Sequence, residues 1–387
     1  MSLRLAAKDI LPDDPDAVLV GRVWSTVAGG PCPVLCRNGA LHDLTALSPT
    51  MSGLLEREGL IEALAGDFPH LGPLDAFLNL GNGTGEGGQL LAPCDLQAIK
   101  AAGVTFAGSM IERVIEERAK GDPARAEAIR TELAGILGGS LRGVRPGSEA
   151  AAAVKEKLQA AGMWSQYLEV GIGPDAEVFT KAPPMAAVGC GAEIGVHRSS
   201  AWNNPEPEVV LAVSSTGRIC GASLGNDVNL RDVEGRSALL LGKAKDNNAS
   251  AAIGPFIRLF DDRFTLATVE ALHVGLDIAG DDGFLLSDHS DMGQISRPPA
   301  SIVAQTLNRS HQYPDGFVLF LGTMFAPTKD RDAAGQGFTH HSGDRVTIAS
   351  AALGKLVNTV QPCDEIAPWT FGTRALMENL ARRGLLA

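Results

Sequence analysis

The sequence predicts an α+β protein, with a small α+β unit over residues 1–85 and a larger, mainly β domain over residues 90–387 that carries helical insertions. Three observations lead there. Short β-branched or alternating runs, separated by Gly, Asn and Pro, fill most of the chain after residue 90. Two stretches, 109–137 and 148–161, read instead as helices. Residues 81–88 read GNGTGEGG, the composition of a flexible connector between two units.

The elements follow in order. VLVGRVWS (18–25) and PVLCR (33–37) read as strands, and Asn38-Gly39 is a hairpin signal after which ALHDLTAL pairs back. Ser52 is placed to cap a short helix, GLLEREGLIEALAG, that ends at Gly66. Gly83, Gly85 and Gly88 match G-x-G-x-x-G, but QLLAP follows, and Pro93 argues against the helix that a nucleotide loop requires. Ser109 and Glu112 fit a capping box at the head of the 109–137 helix, with an interruption at Gly121-Asp122-Pro123. A second helix covers SEAAAAVKEKLQAA (148–161).

Composition narrows the function classes. Of 387 residues, 45% are apolar and 20% charged, which supplies a real core and excludes disorder. A net charge of −12 without a basic face argues against nucleic acid. The six cysteines are scattered and include no C-x-x-C pair, so buried reduced thiols are expected rather than a zinc site. No stretch of 18 apolar residues occurs, and acidic residues with Pro12 interrupt the N-terminus before a signal-type apolar run could form. A soluble cytoplasmic protein is expected.

The strongest local signal is Asn204-Pro205-Glu206-Pro207-Glu208, followed by VVLAV. Side chains two apart on a strand share a face, about 6.6 Å apart along it. Two carboxylates held so close repel unless a cation lies between them or one is protonated. The next strand, RICGASLGND, ends at Asp227, which can join them. Three carboxylates without nearby His or Cys form a hard oxygen site, suited to Mg²⁺ or Mn²⁺ rather than zinc.

Further motifs carry a resemblance. Residues from about 90 to 360 resemble the catalytic domain of the fumarylacetoacetate hydrolase superfamily. Phe179-Thr180-Lys181 resembles its F-x-K strand, and Glu206-x-Glu208 its paired metal glutamates. Gly225-Asn226-Asp227-Val228 with Arg231-Asp232 is similar to its G-N-D-V-x-x-R-D segment. Lys245 precedes Gly254-Pro255 at the spacing of its active-site lysine. Leu321-Gly322-Thr323 and Gly343-Asp344-Arg345-Val346 resemble its L-x-G-T turn and late hairpin. The resemblance implies a mainly β catalytic domain of that family's type, a mixed β-sandwich or roll. It also implies dimers or tetramers of identical subunits.

One departure matters. Hydrolases and decarboxylases of the superfamily often carry G-x-N-Y-x-x-H-x-x-E in a lid, and the matching stretch from Gly103 to Glu112 has Ser109 at the histidine position. A His–Glu pair activates water for C–C cleavage, so this loss leaves room for chemistry that needs no added water. Three longer stretches (AIKAAGVTFAGSMIERVIEERAKGD, SLGNDVNLRDVEGRSALLLGKAKDNNASAAIGP and FLGTMFAPTKDRDAAGQGFTHHSGD) resemble bacterial 2-keto-3-deoxy-D-pentonate dehydratases of oxidative pentose breakdown.

That resemblance implies an Mg²⁺-dependent dehydratase making 2,5-dioxopentanoate from the D-xylonate- or D-arabinonate-derived acid. The route would be C3 deprotonation to an enolate, then β-elimination of the C4 hydroxyl. Glu206, Glu208 and Asp227 would hold the metal. Lys245 is the first candidate for proton transfer, with a lowered pKa from burial near a cation, or else a fixed charge for the substrate carboxylate. Glu112 is a second acid/base candidate. Lys181, Thr323, Ser109 and Arg231 would serve substrate oxygens, Arg231 by orienting Asp227 or a neighbouring carboxylate.

Other residues are set aside. Neighbours His340 and His341 make a poor chelate, with at most one near the site. Asp288-His289-Ser290-Asp291 reads as a polar loop, and Asp281-Asp282-Gly283 lacks the further ligands of a calcium loop. Two other functions compete: a hydrolase or decarboxylase acting on a 2,4-diketo acid, and a non-catalytic sugar-acid binding protein.

Overall fold

The runs read as strands pair into two sheets. A computed structural model describes the chain except for residues 1–4, 79–84, 107–109, 111–113, 116–117, 119–127, 130, 136–143, 328, 334–336 and 387. In the N-terminal unit, β1 (Leu19–Ser25), β2 (Gly30–Arg37), β3 (Ala40–Asp43) and β4 (His70–Pro73) form an antiparallel meander. Asn38 and Gly39 turn the β2–β3 hairpin with φ of 52° and 72°, the left-handed pair that a tight hairpin needs.

The remaining strands are β5 (Gly88–Leu91), β6 (Ala98–Gly103), β7 (Glu177–Ala182), β8 (Glu193–Val196), β9 (Pro207–Val213) and β10 (Ile219–Asp227). They continue with β11 (Ala251–Leu259), β12 (His273–Ala279), β13 (Leu285–Asp291), β14 (Phe317–Phe320), β15 (Arg345–Ser350) and β16 (Gly354–Pro362). The larger sheet runs β4-β3-β2-β1-β11-β10-β9-β14-β6-β7, with β5 beside β1. The smaller runs β13-β12-β15-β16-β8. The boundary expected between residues 85 and 90 falls at β5, which pairs with β1, and β1 also pairs with β11. The two expected units therefore share one sheet.

Strand β9 shows why its sequence is apolar at nearly every position. Val209, Leu211 and Val213 pack into the main core with Leu276, Ile348 and Leu356 of the smaller sheet. Val210 faces the other way, towards Ile99, Ile253 and Phe320, and Ala212 joins Val20, Leu35 and Leu54. A strand buried on both faces needs a continuous apolar run rather than alternation.

The helices differ from expectation in one place. GLLEREGLIEALAG divides into Met51–Glu56 and Leu60–Leu64, with Gly59 at φ 64° between them. Thr50, not Ser52, is the cap, accepting the Gly53 N–H at 3.1 Å. Asp95 accepts the N–H groups of Met51 and Ser52 at 2.6 and 3.0 Å, so a distant carboxylate sets where the helix starts. The helix Glu149–Ala160 begins as read, capped by Ser148. Residues 110, 114–115, 118, 128–129 and 131–135 are helical, while the interruption expected at Gly121-Asp122-Pro123 lies outside the described residues. Gly85 to Gly88 lead directly into β5, and a helix does not follow.

Gly225 lies on β10 opposite Glu208. A Cβ there would sit 2.4 Å from Phe320 Cε1 and 2.5 Å from Val210 Cγ2. Both neighbours are buried, so neither can give way freely. Gly225→Ala is expected to cost about 1–3 kcal/mol by overpacking, read as a fall in the midpoint of denaturant unfolding.

Candidate active site

Alternation along β9 and β10 brings three carboxylates together. Glu208 follows the first residue of β9, and Glu206 precedes it by one. The Asp227 N–H donates to the Glu206 carbonyl at 3.1 Å, extending the β9–β10 pairing by one step. Glu206, Glu208 and Asp227 thus share one face, and a ligand oxygen from each lies within 4.8 Å of the others. All three are buried. Among the described residues this is the one such group of acidic, His or Cys side chains. It contains no nitrogen or sulfur donor, so the donor set fits a hard divalent cation such as Mg²⁺.

Each carboxylate has buried partners, and Glu206 and Asp227 share one of them. Glu208 accepts the Gly322 N–H at 2.7 Å and the Thr323 hydroxyl at 3.4 Å. Gly322 has φ 106°, and a Cβ there would meet Thr105 Oγ1 at 2.0 Å, so the L-x-G-T turn requires glycine. Asp227 is paired with Lys181 Nζ at 2.9 Å and with Lys245 Nζ at 3.0 Å. Glu206 is paired with Lys245, and its Oε1 accepts from Asn229 Nδ2 at 2.9 Å.

The lysines come from different elements. Lys181 shares a face of β7 with Phe179, whose ring lies 5.9 Å from Lys245 Nζ. Lys245 closes the short helix Leu241–Lys245. Lys181 is 0% exposed, donates to the Val228 carbonyl at 3.1 Å and also reaches the Lys245 carbonyl. It was expected on substrate oxygens. Its ammonium instead lies behind Asp227, and Lys181 is absent from the residues that line the cavity.

Burial and repulsion set the electrostatics. Burial, with Asp227 and Glu206 nearby, pushes the Glu208 carboxyl well above its ordinary value. Burial pushes Lys181 down, against the pull of Asp227. Burial also acts to lower Lys245, but Asp227, Glu206 and Glu234 outweigh it and hold that ammonium above the ordinary lysine value. The lowering expected for Lys245 applies to a lysine beside a bound cation, whereas this raising comes from the carboxylates alone.

The cluster opens into a cavity of about 580 Å³. Glu206, Asp227, Lys245 and Thr323 lie on its wall, with Arg231 and Glu234 beside them. The Arg231 guanidinium also stacks over Trp202 at 4.6 Å. Ser109 and Glu112 lie outside the described residues.

Several wall residues escaped the sequence reading. Gln166 and Tyr167 come from the helix Gln166–Ile172, and Glu177 from β7. His289 and Ser290 belong to β13, so Asp288-His289-Ser290-Asp291 is strand rather than polar loop. Pairing with β12 along seven positions overrides its weak strand composition. Neither His340 nor His341 lines the cavity. His340 is buried against Asp344, which takes two hydrogen bonds from Arg331 at 2.5 and 2.7 Å, and His341 lies between Asp282 and Asp332.

No family model matches the chain. A Haloferax volcanii protein named as a probable 2-keto-3-deoxyxylonate dehydratase is 31% identical over 198 residues, 51% of this chain and 64% of that protein. A Saccharolobus solfataricus 2-dehydro-3-deoxy-D-arabinonate dehydratase is 29% identical over 185 residues, 48% of this chain and 58% of that protein. The chain thus matches under two thirds of the length of these curated relatives. A solved 2-keto-3-deoxy-D-arabinonate dehydratase, complexed with magnesium and 2,5-dioxopentanoate, aligns over 89% of this chain and 99% of its own, with a TM-score of 0.58 at 19% identity. A fumarylacetoacetate hydrolase from Exiguobacterium antarcticum aligns over the same shares with a TM-score of 0.52 at 15% identity.

The chain has the fumarylacetoacetate hydrolase fold. Within that fold its sequence resembles the 2-keto-3-deoxypentonate dehydratases.

Lys181 offers a direct test of this arrangement. Lys181→Met removes one of the two buried ammoniums from Asp227, leaving Lys245, and takes the donor from the surrounding carbonyls. Removing one partner of a buried pair is expected to cost about 3–5 kcal/mol, measured by denaturant unfolding at neutral pH.

Proposed function

We propose that the chain is an Mg²⁺-dependent dehydratase that converts a 2-keto-3-deoxypentonate to 2,5-dioxopentanoate. The observation that carries this reading is the buried cluster of Glu206, Glu208 and Asp227, flanked by Lys245 and open to the cavity. The names of the sequence relatives support the substrate class. The magnesium complex of the dehydratase with this fold supports the metal. Mn²⁺ would suit the same oxygen donors.

A divalent cation held by the three carboxylates would supply Lewis acidity at the 2-keto group.

The reaction balances as loss of one water. The C3 proton is removed, the C4–O bond breaks and the departing hydroxyl takes up a proton. A further proton passes from C5 to C3, and the resulting enol becomes the aldehyde by protonation at C4. Lys245 lines the cavity beside Glu206 and Asp227, so it is proposed to donate to the leaving hydroxyl. Glu112 is proposed as the partner base. The Thr323 hydroxyl would meet a substrate oxygen, and Arg231 would set neighbouring carboxylates. Lys181 acts one layer back, holding Asp227.

The test uses purified protein, Mg²⁺ and racemic 2-keto-3-deoxypentonate, coupled to a dehydrogenase that oxidises the aldehyde. NAD(P)H should form, stop near half consumption of the racemate, vanish with chelator and return with Mg²⁺. Asp227→Asn is expected to abolish turnover. Two smaller carbon products from a 2,4-diketo acid, with no aldehyde from the keto-deoxy acid, would instead establish the hydrolase.

A further inference from the structure

Asn229 occupies one of the unassigned positions of the G-N-D-V-x-x-R-D segment. It is 0% exposed, and its amide nitrogen donates to two carboxylates at once: Glu206 Oε1 at 2.9 Å and Glu234 Oε2 at 2.5 Å. Both acceptors are carboxylate oxygens, so the amide nitrogen must face them. The opposite orientation would set the amide oxygen against two anions. The Asn229 main chain is pinned independently. Its N–H and carbonyl both pair with Asn204 at 3.1 Å. The side chain is therefore not needed to hold the backbone.

Among the described residues, the amide oxygen of Asn229 is buried without a hydrogen-bond partner. Burying an unpaired acceptor costs free energy that a leucine of similar size would avoid. The amide is thus a poor choice for stability alone. Its benefit lies on the donor side, where the two carboxylates differ in kind. Glu206 belongs to the carboxylate cluster, and Glu234, on the short helix Arg231–Glu234, forms part of the cavity wall.

We propose that Asn229 is a positioning residue that locks the metal ligand Glu206 and the cavity-wall carboxylate Glu234 to each other. Two like charges held on one neutral donor keep fixed directions, with Glu206 Oε1 on Asn229 while its Oε2 stays paired with Lys245. Glu206 then has a set orientation towards a cation, and Glu234 a set orientation towards a bound substrate. The inference rests on the metal reading of the site but not on the identity of the substrate. Partners that orient metal ligands from behind are worth about 10–100-fold in metal affinity.

The experiment is calorimetric titration of Mg²⁺ alone into the full chain, for the wild type, Asn229→Leu and Asn229→Ser, each with a melting curve. Leucine removes both donors and serine retains one. The expected result is a loss of about tenfold or more in Mg²⁺ affinity for leucine, an intermediate loss for serine, and cooperative melting for both. With Mg²⁺ saturating, kcat should fall while KM changes less. A folded Asn229→Leu protein with Mg²⁺ affinity within about twofold of the wild type would overturn the proposal, because a structural role predicts that outcome. If leucine prevents folding, the same comparison is made with serine, and unchanged affinity there overturns it equally. A wild type that binds Mg²⁺ but turns over no keto-deoxy acid would overturn the dehydratase reading alone, and the titration would still decide this one.

Discussion

Burying three like charges side by side is the constraint around which the fold is arranged. Desolvation and mutual repulsion both oppose it. The chain answers with buried partners for every carboxylate. Backbone and hydroxyl groups of the 322–323 turn serve Glu208. Two ammoniums serve Asp227, and one of them reaches Glu206 as well. The partners come from β7, the 241–245 helix and the turn after β14. Elements far apart in sequence must therefore arrive together before the carboxylates can be buried.

The same constraint explains two glycines. Gly225 leaves room for Phe320 beside the carboxylates, and Gly322 lets a backbone N–H approach Glu208. Neither contributes chemistry. Both remove side-chain bulk where the sheet must come close to the site. The N-terminal meander has a similar supporting place. Val20 of β1, Leu35 of β2 and Leu54 pack with Ala212 of β9, behind the strand that carries Glu208.

Much of this was legible in the residues themselves. Period-two alternation placed Glu206 and Glu208 on one face, and the strand RICGASLGND ended at Asp227, within reach of them. What stayed hidden depended on contacts between distant elements. Lys181 looked like a substrate ligand, because nothing local shows that Val228, Lys245 and Ser250 enclose its ammonium. The sign of the Lys245 shift depended on weighing burial against three carboxylates. Asn229 has no motif role in the sequence and acquires one only when Glu206 and Glu234 converge on it. β13 reads as polar because its edge carries exposed side chains, while its register comes from β12. The helix start near residue 51 was set by Asp95, more than forty residues away.

The cavity is walled on one side by ends of the larger sheet and on another by β13, the rim of the smaller one. Its breadth is therefore the spacing between two sheets, and that spacing is held by the core residues of β9, β12 and β15 between them. A change of one methyl group deep in this core would move a cavity wall without touching any polar residue. Selection can then act on greasy interior positions, and the polar face of the cavity can stay untouched while its breadth is retuned from behind.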